Sequence, residues 1–346
     1  MSAGHVDVSV LVPVLNEEAH LREAARAMLA QEFDGSAEFL FIDGGSHDAS
    51  RSILAQLAGE DPRVRVLENP ARRTPHALNI GLRAGRGEFI ARMDAHTIYP
   101  PRYLASGVER LRRGGAEWVS GPQIAVGTSP GSRRVARALM TSLGTGGAGF
   151  RKELEQEVEV DTGFTGMWRR STLEQHDGWD EEWVNDQDVE LAARIRKAGG
   201  KIVCIPEMTA SYVPRETLPA LARQYMTYGT YRVKTARRHP ESLRRSQLLP
   251  GGLAATAVVA LAAPSRVIRA AARLGVGSYV ALLLVTTARA ARTPGDAEAA
   301  TLPVVWVTMH ASYGVGFWRG CLRYGPPLAA IAGLLAPRVA QGPDRD

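Results

Sequence analysis

The sequence predicts an α/β protein, a mostly parallel sheet with helices on both faces, followed by a C-terminal helical region. Three observations predict it. Short apolar, β-branched runs alternate with amphipathic segments through the first half of the chain. Turn-forming and acidic residues fall where those runs stop. Beyond about residue 246 the composition shifts to long stretches without charge. Strands separated by helices imply a parallel sheet, and ligands of such sheets bind at the carboxyl ends of the strands.

The first strand is VDVSVLVPVL (6–15), ended by Asn16. Residues 17–31 place Leu21, Ala25, Met28 and Leu29 on one helical face. EFLFID (38–43) is a second strand, and its turn GGSHDAS (44–50) leads into the helix RSILAQLA. RVRVLEN (63–69) is a third strand, 75–84 a helix, and EFIARMD (88–94) a fourth strand. The region 124–158 is less regular; its glycine-rich segment SLGTGGAGFRKELE is either a lid over a site or an exposed loop. DTGFTGMWRR (161–170) reads as a strand, followed by a turn at HDGWDEEW. The helix 185–200 turns Val189, Ala192, Ala193 and Ile195 inward and ends at Gly199-Gly200. KIVCIPE (201–207) is a further strand.

Residues 216–238 set Leu218, Leu221, Tyr225 and Tyr228 against Arg223, Arg232, Lys234 and Arg237, the pattern of a helix lying at headgroup level. Three uncharged runs follow, at 248–263, 274–288 and 302–317. Each is shorter than the ~20 residues of a full helical span. Their basic edges favour membrane-embedded or interfacial helices over a buried helical subdomain. The loop 264–273 carries three arginines, and a shallow hairpin that never crosses would accommodate it.

At 346 residues the chain holds one large domain or two smaller ones, and 45% apolar content gives it a sizeable core. The formal net charge is +6. That balance suits phosphate-bearing substrates or anionic lipid. The interleaved aromatic and basic residues of single-strand binders are missing, as is zinc-finger Cys and His spacing, so no nucleic-acid partner is expected. Cys204 and Cys321 lie far apart in apolar surroundings, as buried thiols of a reducing compartment do. The first apolar run follows no basic segment and contains Asp7, so no secretory signal is expected. LNEE follows the first strand where a dinucleotide-binding fold would carry Gly-x-Gly-x-x-Gly, which argues against a dinucleotide-dependent oxidoreductase.

The chemistry lies at strand ends. Asp94 and His96, two residues apart where a strand gives way to a loop, project to one side and can share a divalent cation, Mn²⁺ or Mg²⁺. Asp43 ends the second strand and can accept the imide N–H of uracil. Asp188 starts a helix, whose dipole would keep it ionised, and can take a proton from an attacking hydroxyl. With a metal bridging a diphosphate, these jobs compose an inverting sugar transfer. Plainer roles stay open: Asp188 as a helix cap, Asp43 as a turn former.

At these residues the chain resembles glycosyltransferase family 2, the inverting GT-A group. The matches are VPVLNEE, IDGGSHD, MDAH in place of Asp-x-Asp, and QDVELAARIRKAG near the base. The resemblance spans about residues 6–240. MDAHTIYPP, LGTGGAGFR, Arg169-Arg170 and RQYMTYG resemble the succinoglycan-biosynthesis type more closely. It implies that Pro13, Asn16 and Glu17 line the nucleotide pocket, that Asp43 contacts uracil, that Asp94 and His96 hold metal and diphosphate, and that Asp188 is the catalytic base. Two residues depart from the pattern: Gly44 replaces a second Asp, and Gln187 replaces the Glu before the base. The processive Gln-x-x-Arg-Trp is missing at Gln224, so one sugar per acceptor is expected. Tyr225 or Trp179 is a candidate for stacking on a sugar ring.

The expected organisation is a GT-A nucleotide-sugar-binding and catalytic domain at 1–214, an amphipathic basic linker helix at 215–246, and a hydrophobic, membrane-associated region at 247–346. The expected reaction moves a sugar, UDP-linked, to a polyprenyl-linked saccharide acceptor at the cytoplasmic face of the membrane, for exopolysaccharide or cell-envelope glycan synthesis. The alternatives are transfer to polyprenyl phosphate, or a catalytically silent scaffold in polysaccharide assembly. Metal-dependent activity is expected to fall below about pH 6, as an ordinary imidazole protonates.

Overall fold

The computed structural model describes residues 5–146, 153–292 and 298–335. The chain divides into two compact units, 1–217 and 218–346.

In the first unit, β1 (Val8–Val14), α1 (Leu21–Leu29), β2 (Ala37–Asp43), α2 (Ser50–Glu60), β3 (Val64–Glu68), α3 (Thr74–Ala84) and β4 (Phe89–Arg92) alternate as expected. After them come β5 (Thr97–Ile98), α4 (Tyr103–Arg112), β6 (Trp118–Ser120), β7 (Gln123–Ala125), α5 (Pro130–Leu139) and α6 (Ser142–Thr145). The unit closes with β8 (Val158–Glu159), β9 (Gly166–Arg169), α7 (Arg170–Gln175), α8 (Gln187–Lys197), β10 (Ile202–Cys204) and β11 (Ala210–Tyr212). The expected strand 161–170 is shorter, confined to β9. The glycine-rich segment expected as a lid or loop lies partly outside the described residues, at 147–152.

The main sheet runs β3-β2-β1-β4-β9-β6-β10-β8. β1 pairs in parallel with β2 and β4, β2 with β3, and β6 with β10; β9 is antiparallel to both neighbours and β8 to β10. A small second sheet, β5-β11-β7, forms beside it from segments too short to carry a periodic signal.

Central strands buried on both sides read as unbroken apolar runs. Alternation then sorts their side chains into two layers. Val8, Val10, Val12 and Val14 of β1 join Phe39 and Phe41 of β2 against α1, α2 and α4. Leu11, Leu40 and Ile42 face the other way, onto Leu78 of α3, Leu173 of α7 and Leu191 and Ile195 of α8. Trp168 packs on Trp118 and Trp179 in that second layer, at ring distances of 4.8 and 5.6 Å.

The chain leaves β1 for β2 and β3 on one side, then returns to place β4 on β1's other side. The crevice beyond the carboxyl ends of β1 and β4 is therefore a switch point, where open α/β sheets bind ligands.

The second unit is helical: α9 (Leu218–Arg238), α10 (Arg245–Ala262), α11 (Arg266–Ala290), α12 (Leu302–Tyr324) and α13 (Leu328–Leu335). The stretch 215–246 is thus not one linker helix; α9 buries Leu221, Tyr225, Gly229 and Val233 within this unit. Its glycines mark close helix contact. A Cβ on Gly229 would lie 2.1 Å from the Tyr313 carbonyl oxygen, and one on Gly316 2.1 Å from that of Met226. Small residues let helix backbones approach this closely.

Candidate active site

Three loops meet at the switch point. The first follows β1, where Asn16 takes a positive φ of 56°. Asn is among the few residues that tolerate that conformation. The second follows β2 and is bound tightly to the first. Asn16 N–H donates to Ser46 Oγ (2.9 Å), His47 N–H to Asn16 Oδ1 (2.9 Å), and Glu17 N–H to Ser50 Oγ (2.8 Å). Asp48 and Glu18 add an exchanged pair: Glu18 N–H donates to Asp48 Oδ2 at 3.1 Å, and Ala49 N–H to Glu18 Oε2 at 2.9 Å. The third loop follows β4 and carries Asp94 and His96.

Across the crevice His96 Nδ1 lies 3.2 Å from Glu17 Oε1. The cleft here, about 120 Å³, is lined by Pro13 from the end of β1, Glu17 from the first loop, Gly44 from the second, and Arg92, Asp94 and His96 from β4 and its loop. Arg72 and Arg73, just before α3, line it too. Arginines in such a cleft suit the oxygens of a phosphate.

The centre of the arrangement is Arg92, 3% exposed. Its Nε and Nη2 donate to Asp94 Oδ1 (2.9 Å) and Oδ2 (3.2 Å), and its Nη1 donates to Asp188 Oδ1 at 2.5 Å. Its guanidinium also lies 5.6 Å from the centre of the Phe164 ring. Burial alone would lower its pKa, but the carboxylates of Asp188 and Asp94 outweigh burial and raise it. One cation thus binds two carboxylates that lie 94 residues apart in sequence.

Residues 9–177 match the model of glycosyl transferase family 2. The chain is 32% identical over 329 residues to the succinoglycan biosynthesis protein ExoA of Rhizobium meliloti (strain 1021), covering 91% of this chain and 95% of that one. This chain belongs to glycosyltransferase family 2. It is also 23% identical over 233 residues to a dolichyl N-acetyl-alpha-D-glucosaminyl phosphate 3-beta-D-2,3-diacetamido-2,3-dideoxy-beta-D-glucuronosyltransferase of Methanococcus voltae, covering 64% of this chain and 71% of that one. Among solved structures, a mannosyltransferase from Pyrobaculum calidifontis, in complex with GDP-Man and Mn²⁺, superposes with a TM-score of 0.58. At 21% identity, over 96% of this chain and 88% of that one, this likeness shows the fold, and the GT-A expectation holds.

In this family 2 glycosyltransferase, Pro13, Glu17, Asp94 and His96 line one cleft, and Arg92 ties Asp188 to it. Asn16 and Asp43 are used differently. Asn16's side chain holds the second loop, as above. Asp43 Oδ1 accepts from Ser46 N–H (3.1 Å) and Ser46 Oγ–H (2.6 Å), and its Oδ2 from Gly45 N–H (3.2 Å). Arg51 Nε lies 3.8 Å from the same Oδ2, so the acceptor positions of this carboxylate are largely taken. The turn-forming role of Asp43 is therefore realised.

Asp188 does not cap its helix. The N-cap of α8 is Asp186, at a φ of 66°, and Asp188 sits within the first turn. Burial opposes the helix dipole that was expected to keep it ionised. Desolvation pushes its carboxyl up to about 7 against the pull of Arg92, and Asp94 and Asp186 reinforce the rise. His96 moves the other way from the common buried histidine. Burial lowers it, but its hydrogen bond to Glu17 and the charges of Asp94 and Glu17 prevail, so its pKa is raised.

The donor set can be weighed against a cation. Asp94 and His96 offer a hard oxygen and an imidazole nitrogen to one cleft, and among the described residues no cluster of three His, Cys, Asp or Glu forms a full cage. A two-residue donor set of this kind fits Mn²⁺ or Mg²⁺, which keep positions for phosphate oxygens and water.

Trp179 and Tyr225 were candidates for stacking on sugar. Trp179 is 1% exposed and packs edge-on against Trp168. Tyr225 is buried in the second unit beside Tyr228, ring centres 5.5 Å apart. Both are packing residues. Arg92 escaped the sequence reading, and so did Arg72 and Arg73. The available signal was a charge inside a strand otherwise buried throughout, Phe89–Arg92.

Proposed function

We propose that this chain is an inverting, metal-dependent glycosyltransferase that moves a hexose from a nucleotide diphosphate, UDP in the first instance, to a lipid-linked saccharide in exopolysaccharide or cell-envelope glycan synthesis. The observation that carries this reading is the Asp94–Arg92–Asp188 array, set at the switch point beside Glu17 and His96. In it, Asp188 accepts the proton of the acceptor hydroxyl as that oxygen bonds the anomeric carbon and the bond to the diphosphate breaks from the opposite face. Arg92 orients Asp188 and offsets the negative charge the two carboxylates would otherwise share. Glu17 orients His96. Arg72 and Arg73 attract the diphosphate. A divalent cation held by Asp94 and His96 would supply charge for the departing diphosphate. Asn16 and Asp43 act on the nucleotide mainly by shaping the two loops that receive it. The name of the Rhizobium relative supports exopolysaccharide synthesis as the setting.

The second unit associates with membrane. Nineteen of the twenty-three large apolar side chains exposed among the described residues belong to it, more than a water-soluble surface carries. One helix, Arg266–Ala290, is long and apolar enough to cross.

The test is donor binding. Purified protein with Mn²⁺ and a panel of UDP-, GDP- and dTDP-sugars should show a thermal shift for one donor class. It should also hydrolyse that donor slowly and transfer to a lipid-linked saccharide in preference to bare polyprenyl phosphate. No binding to any donor, with Asp94→Ala indistinguishable from the parent, sinks the reading.

A further inference from the structure

We propose that α10 and α11 form a hairpin that crosses the bilayer, its tip arginines Arg266, Arg269 and Arg273 lying among the lipid phosphates of the opposite leaflet. The proposal rests on the membrane association above and adds that the hairpin crosses and what closes its far end.

Between their terminal arginines the two helices carry no charge, at 246–262 on α10 and 274–288 on α11. Buried positions are confined to Gly251 and Ala260 on α10 and to Ala272 and Leu283 on α11. The exposed residues of α11 include Val280, Leu282, Leu284 and Val285, which at 100° per residue cover about 200° of its circumference, the remaining face holding the buried Leu283. A helix lying in the headgroup plane needs a polar face, and a helix apolar all round is one surrounded by lipid or protein.

Length agrees. Of the two, α11 alone is long and apolar enough to cross, its 25 residues spanning about 38 Å against a hydrocarbon core of ~30 Å; the 18 residues of α10 span about 27 Å and begin with the polar Arg245, Ser246 and Gln247.

Contacts fix the register. Arg269 Nη1 donates to the Ala263 carbonyl at 2.6 Å, Arg273 Nε to that of Ala260 at 3.2 Å, and Gly275 lies against Thr256. The partners step in opposite directions, so the helices are antiparallel and Arg244 and Arg245 are level with Arg289. Two belts of arginine result, Arg244, Arg245, Arg289 and Arg292 at the open end and three at the tip. Arg266 and Arg289 are about 35 Å apart along α11, and Arg273 and Arg289 about 24 Å, which brackets the core thickness.

The tip arginines also serve the backbone. The last carbonyls of a helix lack intrahelical partners, and in lipid no water replaces them. Arg273 satisfies that of Ala260 in the last turn of α10, and Arg269 that of the C-cap Ala263. Their charges still need anions, and the sequence holds no Asp or Glu between Glu241 and Asp296. Lipid phosphate is the anion available at a membrane surface. A tip stopped at mid-bilayer would leave three guanidinium groups in hydrocarbon, a costly arrangement. Four arginines against three keep the open end on the cytoplasmic side.

The test uses the full chain carrying Cys321→Ala, with Cys204 left buried in the core. Ser265→Cys places a thiol at the tip, and Pro264→Cys is a second variant should the first fold poorly. Ser52→Cys, on α2, reports the cytoplasmic side. In spheroplasts a membrane-impermeant maleimide should label the tip cysteine to at least half the extent reached after lysis, and Ser52→Cys only after lysis. A fluorophore on the tip cysteine in vesicles should be quenched best by lipids bearing the quencher at the headgroup. Tip labelling that requires lysis, or strongest quenching from chain-end quenchers, overturns crossing while membrane fractionation still supports association. Recovery of the parent chain in the soluble fraction overturns both.

Discussion

Arg92 holds Asp94 and Asp188 together, with three of its N–H groups on two carboxylates at 2.5–3.2 Å. The residue thought to serve the metal and the residue thought to serve the acceptor therefore share one buried cation. Removing that cation leaves two buried carboxylates facing each other. Arg92→Ala is expected to lower stability by about 3–5 kcal/mol, the cost of breaking a buried ion pair, read from urea unfolding. Arg92→Lys keeps the charge but not the fork, so it should recover part of that stability and little of the transfer rate. A lysine variant with parental activity would show that the bidentate geometry is immaterial.

Asp188→Asn should lower kcat by roughly 10²–10⁴-fold, the range for removing a general base. Donor binding, measured by calorimetry, should stay within about twofold, since Asp188 is outside the cleft lining. A large loss of donor affinity with kcat intact would reassign Asp188 to donor binding.

Asp188 also sets a pH dependence. Its carboxyl is raised to about 7, and a base works in its ionised form. The transfer rate should therefore rise with pH through about 7 and be about tenfold below its plateau at pH 6. In the unfolded chain the same group ionises near 3.8, so its ionisation costs stability progressively as pH rises from there to about 7. A rate profile flat between pH 5.5 and 8 would exclude Asp188 as the base.

Asp94→Asn and His96→Ala should each weaken Mn²⁺ binding in the presence of nucleotide diphosphate by at least about tenfold, since even outer-shell changes cost 10–100-fold. Because His96 is raised above its usual 6.5, the loss of metal on acidification should begin at higher pH than an ordinary imidazole would give. Titrations at pH 6, 7 and 8 in the His96→Ala background should lose that steepness.

Gly316→Val should destabilise the second unit by about 1–3 kcal/mol, because its new Cβ meets the Met226 carbonyl at 2.1 Å. Gly252→Ala meets nothing within 4 Å and should be neutral or stabilising by up to about 1 kcal/mol, both read from melts in detergent.

The parallel half of the sheet was legible because β1, β2 and β4 are buried on both faces and carry little but apolar residues. Asp43, Asp94 and Asn16 were legible because they lie at, or two residues beyond, the ends of strands. The second sheet was not, since β5, β7 and β11 hold two or three residues each, below any period. Arg92 was hidden for a different reason. Within a strand its charge looks like an edge or a fault, and its meaning depends on Asp188, which topology alone brings near. The ordinary fate of Asp43 was also hidden, because a turn-forming aspartate and a ligand-binding one look the same until the donors around them are known.

The bonds between the loop after β1 and the loop after β2 have a hereditary consequence. Asn16 and Ser46, Glu17 and Ser50, Glu18 and Asp48 are joined pair by pair, so LNEE and GGSHDAS behave mechanically as one word written in two places. A change in either half alters the shape of both. Descendants of this chain that adopt another nucleotide should therefore revise the two stretches in step, and a loop transplanted alone from a relative should fail where the matched pair succeeds.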